Sequence, residues 1–111
     1  MVKNVRQLPG IEPAWVRSYT VERDGNQETI AVLESSPTTP SRGTIICVHG
    51  NPTWSYLWRH ILQELGHEYR VIAIDQIGMG YSSRPAGART LAQRIIDLDA
   101  LIDAAGASGP V

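Results

Sequence analysis

Two short stretches place polar residues where chemistry could use them. His49-Gly50-Asn51-Pro52-Thr53 joins an imidazole, a residue without a side chain, an amide and a proline. Asp75-Gln76-Ile77-Gly78-Met79-Gly80-Tyr81-Ser82 sets an acid ahead of two glycines and a serine. A small-residue turn that opens a helix faces backbone N–H groups outward, and the helix start adds partial positive charge. That suits an oxyanion or a halide. The same spacing equally fits an ordinary strand-to-helix turn capped by Thr53 or Ser55. The remaining candidates read as structural. His60 falls on the polar side of a helix and His67 follows Gly66 in a connector, so both are expected in solvent. Cys47 lies inside an apolar run and reads as a buried, unactivated thiol. Gly78-Met79-Gly80 lacks the third glycine of a dinucleotide fingerprint, and Asp97 falls on a helix rather than at a strand end. Asp97, Asp99 and Asp103 have no His or Glu beside them, so they read as a solvated helix face. Neither a metal nor a cofactor is expected.

The elements that would position these residues are readable. Ala14 to Glu34 has a strand-like pattern broken at Asp24-Gly25-Asn26, which reads as a hairpin turn because Asp-Gly supplies positive φ. Thr44-Ile45-Ile46-Cys47-Val48 is apolar without alternation, as in a strand covered on both faces. Trp54, Leu57, Trp58, Ile61, Leu62 and Leu65 then form a helical stripe ended by Gly66. A second buried strand, Tyr69 to Ile74, ends in Asp75, so residues 44–75 make a βαβ unit. Gln76 to Arg89 is a loop. Thr90 and Gln93 then form a capping box for a helix over 90–105, whose stripe is Leu91, Ile95, Leu98, Leu101 and Ile102. The fold class is therefore α/β: an antiparallel hairpin followed by the βαβ of a mainly parallel sheet. In such sheets ligands bind beyond the carboxyl ends of the strands, which is where both polar stretches fall.

Composition narrows the function. The chain has 111 residues, room for a single domain, with 42% hydrophobic and 19% charged residues. Ten Lys+Arg against eleven Asp+Glu give a net charge of −1, so no electrostatic footprint invites nucleic acid or an anionic membrane. No apolar run reaches the ~20 residues of a membrane span, and Met1 to Arg6 holds no signal-peptide core. One cysteine makes no internal disulfide, so a cytoplasmic setting is expected.

VHGNPTWSYLWRHIL followed by YRVIAIDQIGMGYSSRP resembles the N-terminal part of an α/β-hydrolase. The branch it resembles most is the haloalkane dehalogenases, with β-lactone decarboxylases and epoxide hydrolases as close relatives. The resemblance implies roles residue by residue. Asn51 would lend a backbone N–H to an oxyanion hole and its side-chain amide to a departing halide. His49, Gly50 and Pro52 would shape that turn, with a cis peptide before Pro52. Asp75, Gly78, Gly80 and Ser82 would build a structural loop. The substrate would be small and largely apolar: a haloalkane, a β-lactone or an epoxide. The chain departs from the family's pattern in lacking Gly-x-Ser-x-Gly, Gly-x-Asp-x-Gly and a histidine placed to act as the base. It thus reads as a single, incomplete domain over 1–111. No catalytic residue lies in it, and the nucleophile, an Asp, is expected beyond it. Such a piece is expected either to need its C-terminal remainder or to self-associate, and a non-catalytic module is the alternative.

Overall fold

The computed structural model describes residues 7–37, 42–50, 53–107 and 111. Strands β1 (Val16–Arg23) and β2 (Asn26–Glu34) form the hairpin, paired from Val16 opposite Leu33 to Arg23 opposite Asn26. Its two-residue turn has Asp24 at φ 54° and Gly25 at φ 78°. Two consecutive positive φ values match the twist of the flanking strands, so the local sequence closes the hairpin without strain elsewhere. Strand β3 (Thr44–Cys47) leads to a 3-10 turn (Ser55–Trp58), helix α1 (Arg59–Leu65), strand β4 (Arg70–Ile74) and helix α2 (Leu91–Ala105).

The sheet order is β1-β2-β4-β3. Among the described residues only the β3–β4 pairing is parallel, and β4 meets β2 antiparallel from Val32 opposite Ile74 to Glu34 opposite Ile72. The hairpin is therefore part of the same sheet. Because successive strand residues point to opposite faces, β4 feeds two cores. Val71 and Ala73 pack with Leu33, Cys47, Leu62 and Trp15 on the α1 side. Ile72 and Ile74 pack with Val21, Ile30, Val32 and Leu101 on the α2 side. The non-alternating apolar run of β4 has this double burial as its cause.

The helices differ from their sequence reading. The stripe from Trp54 does not form one helix: a 3-10 turn precedes an α1 of seven residues. Gly66 ends α1 at φ −67°, a right-handed conformation open to any residue. Its need is spatial, since a Cβ there would lie 2.3 Å from the Leu62 carbonyl oxygen and 2.8 Å from Ser35 Cβ. In α2 the capping box forms as expected, with the Gln93 N–H given to Thr90 Oγ1 at 3.1 Å and the Thr90 N–H to Gln93 Oε1 at 2.7 Å. Its expected stripe is only half covered. Leu101 is fully buried, but Leu91 and Ile95 are 75% and 59% exposed, because no described residue lies over them.

Asp97 corrects the sequence reading most sharply. It is buried, not solvated. Arg89 grips its carboxylate through Nε at 2.7 Å and Nη2 at 2.5 Å, and Arg23 Nε donates to it at 2.6 Å. The hydrogen bond to Asp97 raises the Arg89 pKa above the ordinary guanidinium range. The group ties β1 to α2. Asp99 and Asp103, in contrast, are exposed as expected.

Candidate functional site

The site is built at the carboxyl ends of β3 and β4. β3 stops at Cys47, Val48 is exposed, and the chain turns through His49 and Gly50. Cys47 is buried, and burial pushes its thiol pKa up, which agrees with an unactivated side chain. Asn51 and Pro52, with the expected cis peptide and halide contact, lie outside the described residues. Their neighbours are well fixed. The His49 ring is 3% exposed. Its Nε2 accepts the Gln76 backbone N–H at 3.0 Å, while Nδ1 lies 2.6 Å from the Gly50 carbonyl oxygen. The Gln76 side-chain amide donates to the His49 carbonyl at 2.7 Å. Arg94 Nη1, on α2, reaches the Gln76 side-chain oxygen at 3.5 Å and the Ile77 carbonyl at 3.0 Å.

The second stretch is held by one acid. Asp75 is buried, with Oδ1 accepting the Ser55 N–H at 2.7 Å and Oδ2 the Tyr81 N–H at 2.9 Å. It thus joins the start of the 3-10 turn to the glycine loop. The alternative of a turn capped by Thr53 or Ser55 is corrected here: the N-cap of the 3-10 turn is Trp54, which makes no side-chain cap bond, and among the described residues Asp75 takes the Ser55 N–H. Gly80 packs against this carboxylate at φ 55°, where a Cβ would sit 2.4 Å from Asp75 Cγ. Gly78 has φ 91° and open space around it. Ser82 donates its hydroxyl to the Asp75 carbonyl and accepts the Ala31 N–H at 2.8 Å. Ser83 adds two bonds to Thr29, Oγ accepting its N–H at 2.7 Å and N–H donating to its carbonyl at 2.8 Å. Arg84 closes the loop onto the Gly78 and Gly80 carbonyls at 2.8 and 2.7 Å. The loop continues β4's pairing along β2.

An apolar cavity of about 320 Å³ opens between the strand ends and α2. Ile74, Ile77, Met79, Leu91, Ile95 and Leu98 supply its apolar wall, and His49, Gly50 and Gln76 its polar rim. His60 and His67 are exposed, away from that rim. Among the described residues no three His, Cys, Asp or Glu side chains are grouped to hold a metal ion, and no helix is long and apolar enough to cross a membrane. The sequence reading missed Gln76 and Arg94. Both act on backbone carbonyls, which carry no residue-type signal.

The sequence model of the alpha/beta hydrolase fold matches residues 43–108. Over 81 residues the chain is 43% identical to a cis-3-alkyl-4-alkyloxetan-2-one decarboxylase of Xanthomonas campestris, covering 65% of this chain and 27% of that protein. Over 64 residues it is 47% identical to a haloalkane dehalogenase of Agrobacterium fabrum, covering 58% of this chain and 21% of that protein. The crystal structure of the haloalkane dehalogenase DatA from Agrobacterium tumefaciens superposes with a TM-score of 0.61 at 37% identity, over 83% of this chain and 30% of that one. The chain thus spans about a quarter of the curated relatives it matches.

Proposed function

Because the chain belongs to the alpha/beta hydrolase fold family, we propose that it supplies the anion-stabilising turn of a haloalkane dehalogenase-like hydrolase. The observation that carries this reading is the position of His49 and Gly50. They sit on the polar rim of an apolar cavity at the carboxyl ends of two core strands, where open α/β sheets bind their ligands. A small apolar substrate fits that wall, and Asn51 follows directly on the fixed turn. In this reading the nucleophile is an Asp carboxylate on an elbow beyond this chain. Its oxygen forms an ester bond to the substrate carbon as the carbon–halogen bond breaks, and the halide leaves with the bonding pair. Asn51 receives that charge, and water then hydrolyses the ester. The chain itself holds no nucleophile, acid or base for this reaction, and no cofactor enters it. The setting is proposed to be cytoplasmic, without nucleic-acid or membrane partners.

A second reading keeps the same turn. The match to the oxetan-2-one decarboxylase is longer than that to the dehalogenase, which supports a parent that acts on a β-lactone. One experiment tests the shared core of both: reading the coding sequence downstream of Val111. It should encode a strand and then an Asp elbow within about ten residues, since strands run ~5–6 residues. A Ser at that elbow would overturn the Asp-nucleophile reading. A strand with no elbow would leave a non-catalytic module. Assay of the full-length product on haloalkane, β-lactone and epoxide panels then separates the substrates.

A further inference from the structure

We propose that the cavity beside α2 is a binding site for a monocarboxylate with a short apolar tail, its carboxylate held by Arg94 and its tail by the α2 wall. The inference goes beyond the proposed halide release and does not depend on it, since a neutral haloalkane has no charge to offer Arg94. Arg94 lines the cavity with Ile77, Leu91, Ile95 and Leu98, and it is half-buried. A cation in such a place ordinarily has a carboxylate beside it. All eleven Asp and Glu of the chain lie among the described residues, and none forms an ion pair with Arg94. Asp97 also lines the cavity, but its Oδ1 accepts from Arg23 and Arg89 and its Oδ2 from Arg89. Two guanidinium groups already outweigh its charge. The donors left on Arg94 have the shape of a carboxylate. Nη1 is used on the Ile77 carbonyl at 3.0 Å and the Gln76 side-chain oxygen at 3.5 Å. Nε and Nη2 have no partner among the described residues, and neither is sealed inside the protein. Their two N–H groups form the fork that takes both oxygens of one carboxylate. The other polar groups of the rim are committed: the His49 ring to Gln76 and Gly50, and the Gln76 amide nitrogen to the His49 carbonyl. One fork beside an apolar wall fits one negative charge on an apolar tail. A phosphate or a dicarboxylate would press a second charge against that wall. A volume of about 320 Å³ lies at the small end of ligand pockets, so the tail is short.

Hexanoate is the probe, titrated into the ¹⁵N-labelled 111-residue chain and followed at the Arg94 Nε–H and the Ile95 backbone N–H. Hexanoate should shift both resonances. 1-Hexanol should shift Ile95 alone and bind about tenfold more weakly, the effect of one charge-assisted hydrogen bond. Acetate, four methylenes shorter, should shift Arg94 at concentrations at least about tenfold higher. Arg94→Gln should weaken hexanoate about tenfold and leave 1-hexanol unchanged, and Arg94→Lys, with the charge but not the fork, should fall between. Equal affinity for hexanoate and 1-hexanol in the wild type, or an Arg94 Nε–H that ignores hexanoate, would overturn the proposal. Bromide that displaces hexanoate at a comparable concentration would mark a site for charge alone and overturn the carboxylate assignment. Should Arg94→Gln unfold, as far-UV circular dichroism reports, the wild-type comparison of hexanoate with 1-hexanol decides alone.

Discussion

Replacing Gly80 by Ala should cost the fold far more than replacing Gly78 by Ala, although both glycines have positive φ. At Gly78, φ is 91° and nothing lies within reach of a new Cβ, so only the backbone penalty of about 1–2 kcal/mol applies. At Gly80, φ is 55° and the same penalty is joined by a collision, with the new Cβ 2.4 Å from Asp75 Cγ and Oδ2. The carboxylate must move by about an ångström to restore van der Waals contact. It cannot do so and still accept both the Ser55 N–H at 2.7 Å and the Tyr81 N–H at 2.9 Å. Losing one bond to a charged acceptor adds about 1.5–3 kcal/mol. The expected totals are about 1–2 kcal/mol for Gly78→Ala and about 3–5 kcal/mol for Gly80→Ala. Urea denaturation followed by far-UV circular dichroism measures both, provided the slopes with denaturant agree. Equal losses in the two variants would refute the argument that Asp75 is held in place by the absence of a side chain at position 80.

Asp97→Ala should destabilise by about 3–5 kcal/mol in the same assay, because Arg23 would lose its carboxylate and the buried Arg89 would keep only the exposed Asp24, 3.5 Å away. Tyr19 should titrate above its ordinary range, through burial first and then its hydrogen bond to Glu34. A pKa raised on folding contributes stability that is complete below the unfolded value near 10 and is lost as pH rises through the folded value. Absorbance at 295 nm should show the shift, and Tyr19→Phe should remove that alkaline component of the stability profile. The isolated chain should release no halide from haloalkanes and open no epoxide or β-lactone, and turnover that vanishes with Asn51→Ala would contradict that. It should also associate in size-exclusion chromatography, through the apolar edge of β3 and the exposed Leu91 and Ile95. A compact monomer with a sharp thermal transition would oppose that expectation.

Sequence reading reached whatever local chemistry specifies. Asp24-Gly25 and the Thr90–Gln93 box are signals contained within a few residues, and both form. β4 was legible because an apolar run without alternation has one common cause, cover on both faces. Gly66 marks the right boundary, but the sequence does not show why: a Cβ there would collide first with the Leu62 carbonyl and then with Ser35, just past the end of β2. Asp97 was misread because its partner Arg23 is 74 residues away, and helical periodicity says nothing about such a neighbour. The site was legible as two motifs at two strand ends. Its internal wiring was not, since Gln76 and Arg94 donate to backbone carbonyls and many side-chain donors could do that.

The Asp97 cluster has a consequence for synthesis. Arg23 and Arg89 share one carboxylate, yet Arg23 is made 74 residues before Asp97. At ~5–20 residues per second, the hairpin leaves the ribosome roughly 4–15 s ahead of the acid that neutralises it. During that interval Arg23 has to stay hydrated, so the α2 face of the hairpin cannot dry. Val21 and Ile30 then wait in water beside it. Helix α2 therefore decides when the hairpin made before it becomes a core, and a nascent chain stalled before residue 97 exposes that face to whatever chaperone or protease arrives first.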